Sequence, residues 1–142
     1  MNDQITIAII TAGATITVAV ISFFLNERAK RKADWQQKKF GHYEKLLLAL
    51  SELAIEDSDK DKANLEFAAA FNTITLIASQ EVITALMAFH DEIKFSNKNR
   101  SSKKHDELLK ELVLAIRKDI GLSKKDNPAS FNIHLTGSIP KK

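Results

Sequence analysis

Between Asp3 and Glu27 no side chain is charged, and this gap constrains the fold more than any other feature. The uncharged run covers residues 4–26. At ~1.5 Å rise per residue it makes a helix of about 34 Å, enough to cross a hydrocarbon core of ~30 Å. Its apolar centre, residues 5–25, reads ITIAIITAGATITVAVISFFL. Threonines and Ser22 do not oppose insertion, because a helical hydroxyl can donate to the carbonyl one turn earlier. A buried strand or core helix is seldom this long. A cleaved signal peptide would need a basic leader, yet Met1-Asn2-Asp3-Gln4 supplies one aspartate and the terminal amine. No small-x-small cleavage site follows Phe23-Phe24-Leu25. The expectation is one uncleaved transmembrane helix.

The basic residues set its direction. All 21 lysines and arginines follow Glu27, and Arg28, Lys30, Arg31 and Lys32 crowd just beyond the apolar run. The positive-inside rule then places the N-terminus outside and the remaining chain in the cytoplasm. Each cation near anionic headgroups is worth ~1 kcal/mol. Within the span, Ala8, Ala12, Thr15, Ala19 and Ser22 share one helical face at a 4-3-4 spacing. Small residues so placed let helices approach closely in lipid, which points to a self-associating anchor and a homo-oligomer. Composition alone is the competing explanation, since ten of residues 5–25 are Ala, Gly, Ser or Thr.

With the anchor set aside, about a hundred residues remain, enough for one modest core. Leaving out Asp3, the 18 acidic residues become 17 against 21 basic, a mild excess that does not argue for long nucleic acid. No cysteine is present, so disulfides, thiolate nucleophiles and cysteine metal sites are excluded. Two prolines and four glycines favour long helices over a sheet.

Glu27 to about Ile55 contains no breaker except Gly41, so the anchor is expected to continue as one helix. Phe40, Tyr43, Leu47, Leu50 and Ala54 form its apolar stripe. A charged turn at residues 56–61 offers Ser58 or Asp59 as the next N-cap. Residues 61–78 are apolar almost all round, which predicts a helix buried among others. Asn72 would then need a partner, either to fix register or to line a pocket. Ser79 caps a further helix ending near Phe95, with a stripe from Val82 to Ile93. The last helix opens around Lys103 and closes at Gly121 in the Schellman manner. Asn127-Pro128 marks a turn, and Phe131, Ile133 and Leu135 alternate as an extended segment does. Residues 137–142 read as a frayed end.

The chemistry is sparse. His42, His90, His105 and His134 fall on separate elements with no metal-ligand spacing, and His90-Asp91-Glu92 reads as a helix-surface group. No phosphate loop, nucleophile elbow or zinc-peptidase motif occurs. The expectation is no catalytic residue, no metal, no cofactor and no enzyme. One polar stretch stands out, running from Asn97 to His105. Lys98, Asn99, Arg100, Ser101, Ser102, Lys103, Lys104 and His105 gather cations, an amide and hydroxyls at a helix N-terminus, where backbone N–H groups attract anions. A phosphate-bearing ligand could bind there, with Arg100 and Lys103 as charge partners and Phe95 and Phe131 as the nearest stacking rings. An ordinary solvated loop, with the serines as caps, is the competing reading.

At Leu76-Ile77-Ala78-Ser79-Gln80-Glu81-Val82-Ile83, and from His105-Asp106-Glu107-Leu108-Leu109 to Ala115-Ile116-Arg117-Lys118-Asp119-Ile120-Gly121, the chain resembles small bacterial membrane-anchored proteins. That resemblance implies a bacterial inner membrane and transfers no active site. The layout of anchor, compact cytoplasmic domain and basic loop is also similar to membrane effectors of bacterial antiviral signalling. These include effectors of type III CRISPR systems that bind cyclic tetra-adenylate. The expected architecture is all-α: a transmembrane helix at 4–26, a cytoplasmic four-helix bundle at 27–122 and an irregular tail at 123–142. The expected function is a non-enzymatic, oligomeric sensor-effector that binds an anionic signal, such as a cyclic oligonucleotide, and disturbs the membrane. The alternative is a membrane-tethered adaptor that recruits a protein partner.

Overall fold

A computed structural model describes residues 3–55, 57–122 and 125–135, whose regular structure is helical with no strand among them. Four helices follow in order: α1 (Asp3–Ala54), α2 (Lys60–Ile74), α3 (Gln80–Ile93) and α4 (Ser102–Asp119). Met1, Asn2, Glu56 of the charged turn, Ser123, Lys124 and residues 136–142, including the end expected to fray, lie outside the described residues. The chain divides into two compact units, Met1–Gln37 and Lys38–Lys142. That division falls within α1, beyond the charge boundary at Glu27.

In the first unit α1 is long and apolar enough to cross a membrane, and no part of its apolar window is buried by the chain. Three of its hydroxyls are satisfied locally: Thr11 donates to the Ile7 carbonyl, Thr15 to that of Thr11 and Thr17 to that of Gly13, at 2.8–2.9 Å. Ala8, Ala12, Thr15, Ala19 and Ser22 are exposed together with the rest of the segment.

The second unit is punctuated by local chemistry. Asp59 Oδ1 accepts from the backbone N–H groups of Asp61 and Lys62, both at 3.1 Å, which starts α2. Ser79 and Ser101 cap α3 and α4. Past α4, Gly121 turns to φ 82°, a conformation that suits a residue without a Cβ. Leu122 N–H then donates to Arg117 O at 2.8 Å and Gly121 N–H to Lys118 O at 3.0 Å, the paired bonds of a Schellman end.

One apolar core joins the four helices. Tyr43, Leu46 and Leu50 of α1 meet Phe67 and Ile74 of α2, Val82, Leu86 and Phe89 of α3, and Leu109, Leu112 and Ile116 of α4. Each such side chain contributes about 1.5–3 kcal/mol on leaving water. The most extensive helix-to-helix backbone packing is between α3 and α4. Phe131, Ile133 and Leu135 also pack against this core, while Asn132 and His134 face outward. The alternation read in the sequence is therefore an in–out pattern, although the segment carries no ladder hydrogen bonds.

Several expected faces are corrected. The buried stripe of α1 is Tyr43, Leu46, Ala49 and Leu50, whereas Phe40 and Ala54 are exposed. The run Leu46-Leu47-Leu48-Ala49-Leu50 is apolar over a wide arc, so packing partners choose which stripe turns inward. α2 is not enclosed. Ala63, Phe67, Ala70 and Ile74 face the core, but Leu65 is 73% exposed, and Leu76, in the turn just past the helix, 83%. Asn72 lies on that outer side and is exposed, so water satisfies its amide. α3 stops at Ile93, which leaves Phe95 outside it and 97% exposed.

One polar knot ties distant elements. Asp119 ends α4, where the helix dipole disfavours an acid. Lys39 Nζ donates to both of its oxygens at 2.9–3.0 Å, and the Tyr43 hydroxyl donates to Oδ2. Burial pushes the Asp119 carboxyl up, but Tyr43, Lys39 and the Ser79 backbone N–H outweigh it and hold the group below the usual carboxylate range. Tyr43 moves the other way. Burial, and then the Asp119 carboxylate, raise its hydroxyl well above the ordinary phenol value.

Candidate functional site

The α3–α4 connection is built around one acid. Glu92 stands in the last turn of α3, where the dipole again disfavours it, and it is only 3% exposed. Its Oε1 accepts the Ser101 backbone N–H at 2.8 Å, and its Oε2 meets Lys104 Nζ at 3.2 Å and Asn97 Nδ2 at 3.4 Å. The Ser101 N–H bond, seconded by Lys104 and Asn97, holds Glu92 below the usual range against the opposing effect of burial. Asn97 Nδ2 also donates to the Glu92 carbonyl at 3.0 Å, and its Oδ1 accepts from the Asn99 N–H at 3.0 Å, which shapes the turn.

The eight candidate ligand residues are thereby sorted. Ser101 and Lys104 turn toward Glu92, so the N-terminus of α4 already holds an internal anion. Lys103 sits 4.0 Å from Glu107 on the exposed helix surface. Lys98, Asn99 and Ser102 are exposed. His105 Nδ1 lies 3.2 Å from Asp106, which His134 Nδ1 approaches at 2.9 Å from the tail. His105, then His134, lower the Asp106 carboxyl relative to its ordinary value. Arg100 is different. Its Nη2 donates to the Lys94 carbonyl at 3.0 Å, its guanidinium lies 5.8 Å from the Phe95 ring centroid, and no carboxylate pairs with it among the described residues.

Arg100 and His105 border a cleft of about 530 Å³. Leu50, Leu53 and Ala54 of α1, Asn64 and Phe67 of α2, Phe89, His90 and Ile93 of α3, Lys94 (paired with Asp91), Phe95, and Leu135 of the tail complete its walls. The rings are ordered against one another: His90 stacks on Phe67 with planes 13° apart, and His105 tilts against Phe89 at 5.2 Å. A shallow extension reaches Glu92, Ser101 and Ser102. A larger cleft of about 650 Å³ between α3 and α4 holds two ion-paired carboxylates, Glu81 on Lys118 at 2.7 Å and Asp126 on Arg117 at 2.7 Å, and a third acid, Glu111.

Chemically, the arrangement offers an apolar, ring-lined cleft with one uncompensated cation at its mouth, a combination typical of small-molecule sites. Glu92 was legible only as a surface acid, because nothing in its local spacing marks burial. His90 and Asn64 join the cleft from other helices. No family model, curated protein or solved structure matches the chain.

Proposed function

We propose that the chain is a non-enzymatic, single-pass protein of a bacterial inner membrane, with its N-terminus outside. A cytoplasmic four-helix bundle, formed by residues 38–54 with α2, α3 and α4, receives an anionic signal at the α3–α4 loop. The observation that carries this reading is the apolar stretch of α1, none of which is covered by the chain. Apolar surface in water costs ~25 cal/mol per Å², and a bilayer removes that cost over a whole helix. The lysines and arginines beyond Glu27 favour the stated orientation. Arg100, with no acidic partner among the described residues, favours an anion as the signal.

Binding would rearrange anchors associated through Ala8, Ala12, Thr15, Ala19 and Ser22, and so disturb the membrane. That output, and a cyclic oligonucleotide as the signal, are what the similarity to antiviral effectors implies. The test has two parts. The full-length chain should resist alkaline extraction from membranes, and a C-terminal reporter should be active only in the cytoplasm; release into the supernatant would overturn the anchor. Binding of a cyclic oligonucleotide to the purified chain should weaken with salt and be lost in R100A/K103A. Retention in that variant would remove the loop from the account.

The outer side of α2 favours a second reading. Leu65 of α2 and Leu76, in the turn just past its end, stand exposed, as docking residues would. A tethered adaptor of this kind would return one stoichiometric protein partner from native membranes, lost in L65E/L76E and indifferent to R100A.

A further inference from the structure

We infer that the cleft bordered by Arg100 and His105 seats the signal, and that the signal is an aromatic anion, a planar apolar body ending in a phosphate-type head. The inference rests on the reading that the α3–α4 loop receives an anion, and it adds where the ligand lies and what its other end must be. Three observations carry it.

The first is the lining. Phe67, Phe89, Phe95, His90 and His105 put five rings around one cleft of about 530 Å³, within the size range of small-molecule sites. Aliphatic walls would serve any apolar body. A ring-dense wall favours a planar one, because edge-to-face and offset contacts add to area burial. The second is Phe95. It stands 97% exposed at the rim, immediately after α3, with one face under the Arg100 guanidinium. A solvated phenylalanine held beside a cation is placed to cover a ligand, and the guanidinium keeps N–H donors at its edge besides the Nη2 bond to the Lys94 carbonyl.

The third is the division of charge around Glu92. Lys104 and the Ser101 N–H are satisfied inside the protein, so an inorganic anion gains little at the N-terminus of α4. Of the loop cations without an acidic partner among the described residues, Lys98 and Arg100, Arg100 is the one that borders the apolar cleft. A small hydrated anion would leave the rings wet. A molecule with both parts uses both features of the site.

The full-length chain, reconstituted in zwitterionic lipid nanodiscs, is titrated with 2-naphthyl phosphate, inorganic phosphate and 2-naphthol, with empty nanodiscs subtracted. The expected result is at least tenfold tighter binding of 2-naphthyl phosphate than of either fragment. R100Q and F95A, both exposed positions that leave the core intact, should each weaken it about tenfold while helicity is unchanged. Equal affinity for inorganic phosphate would overturn this inference and leave the anion-binding loop standing. Equal affinity for 2-naphthol, or indifference to both variants, would overturn it by removing Arg100 and the rim from recognition. Failure of both phosphates to bind would overturn this inference and the loop reading together.

Discussion

Replacing Tyr43 by phenylalanine tests the knot that joins α1 to the end of α4. The ring is 1% exposed and the substitution keeps nearly all of its volume, so the apolar packing of α1 stays in place. What disappears is the hydroxyl that donates to Asp119 Oδ2. A hydrogen bond to a charged group contributes ~1.5–3 kcal/mol. Asp119 keeps Lys39 at 2.9 Å and the Ser79 N–H, so it is not orphaned, and the lower end of that range applies. The expected loss is about 1.5 kcal/mol, which for a unit of this size lowers Tm by roughly 6–12 °C. Helicity at 222 nm, followed during heating of the full chain in detergent, measures it. The pH dependence checks the cause. Asp119 is depressed in the folded state, so its contribution is complete above the unfolded value of ~3.9 and is lost as pH falls through its lower folded value. The gap between wild type and Y43F should therefore be constant at neutral pH and shrink on acidification below about 4. A gap under ~2 °C at pH 7, or one that grows in acid, would refute the reasoning.

Tyr43 is the single tyrosine, so absorbance of its phenolate reports directly on the same contact. Its raised value means that the folded chain should show no ionisation near pH 10, while the unfolded chain does, and stability should fall as pH rises past that point. Leu46→Ala removes a side chain with no exposed surface from the centre of the core and should cost about 2–5 kcal/mol by denaturant titration. Gly121→Ala forces a Cβ onto a φ of 82° and should cost about 1–2 kcal/mol in the same assay, with the other helices unaffected.

Helix starts, and the stop at Gly121, were legible because their chemistry is local. Asp59, Ser79, Ser101 and Gly121 act on backbone groups no more than five residues away, so sequence order alone brings the partners together. The uncharged run at 4–26 and its basic flank belong to the same class, since length and charge need no tertiary partner to be read. The candidate loop was found by its cations, but only as a single string of eight residues.

Rotation about each helix axis was a different matter. α2 is apolar on opposite sides, so its pattern did not say whether Phe67 or Leu65 would meet the core. The same ambiguity in α1 turned Leu46 inward and left Phe40 in solvent. Once packing set those rotations, Glu92 was drawn beneath Ser101 and Lys104, Asp119 met Lys39 across 80 residues, and Arg100 remained without an acid among the described residues. Sequence alone determined where helices begin and which one suits lipid, while α2 and α3 end earlier than their apolar patterns implied. The tertiary fold decided which charges are paired inside the protein and which stay without an acidic partner, because a charge's partner depends on the faces that meet.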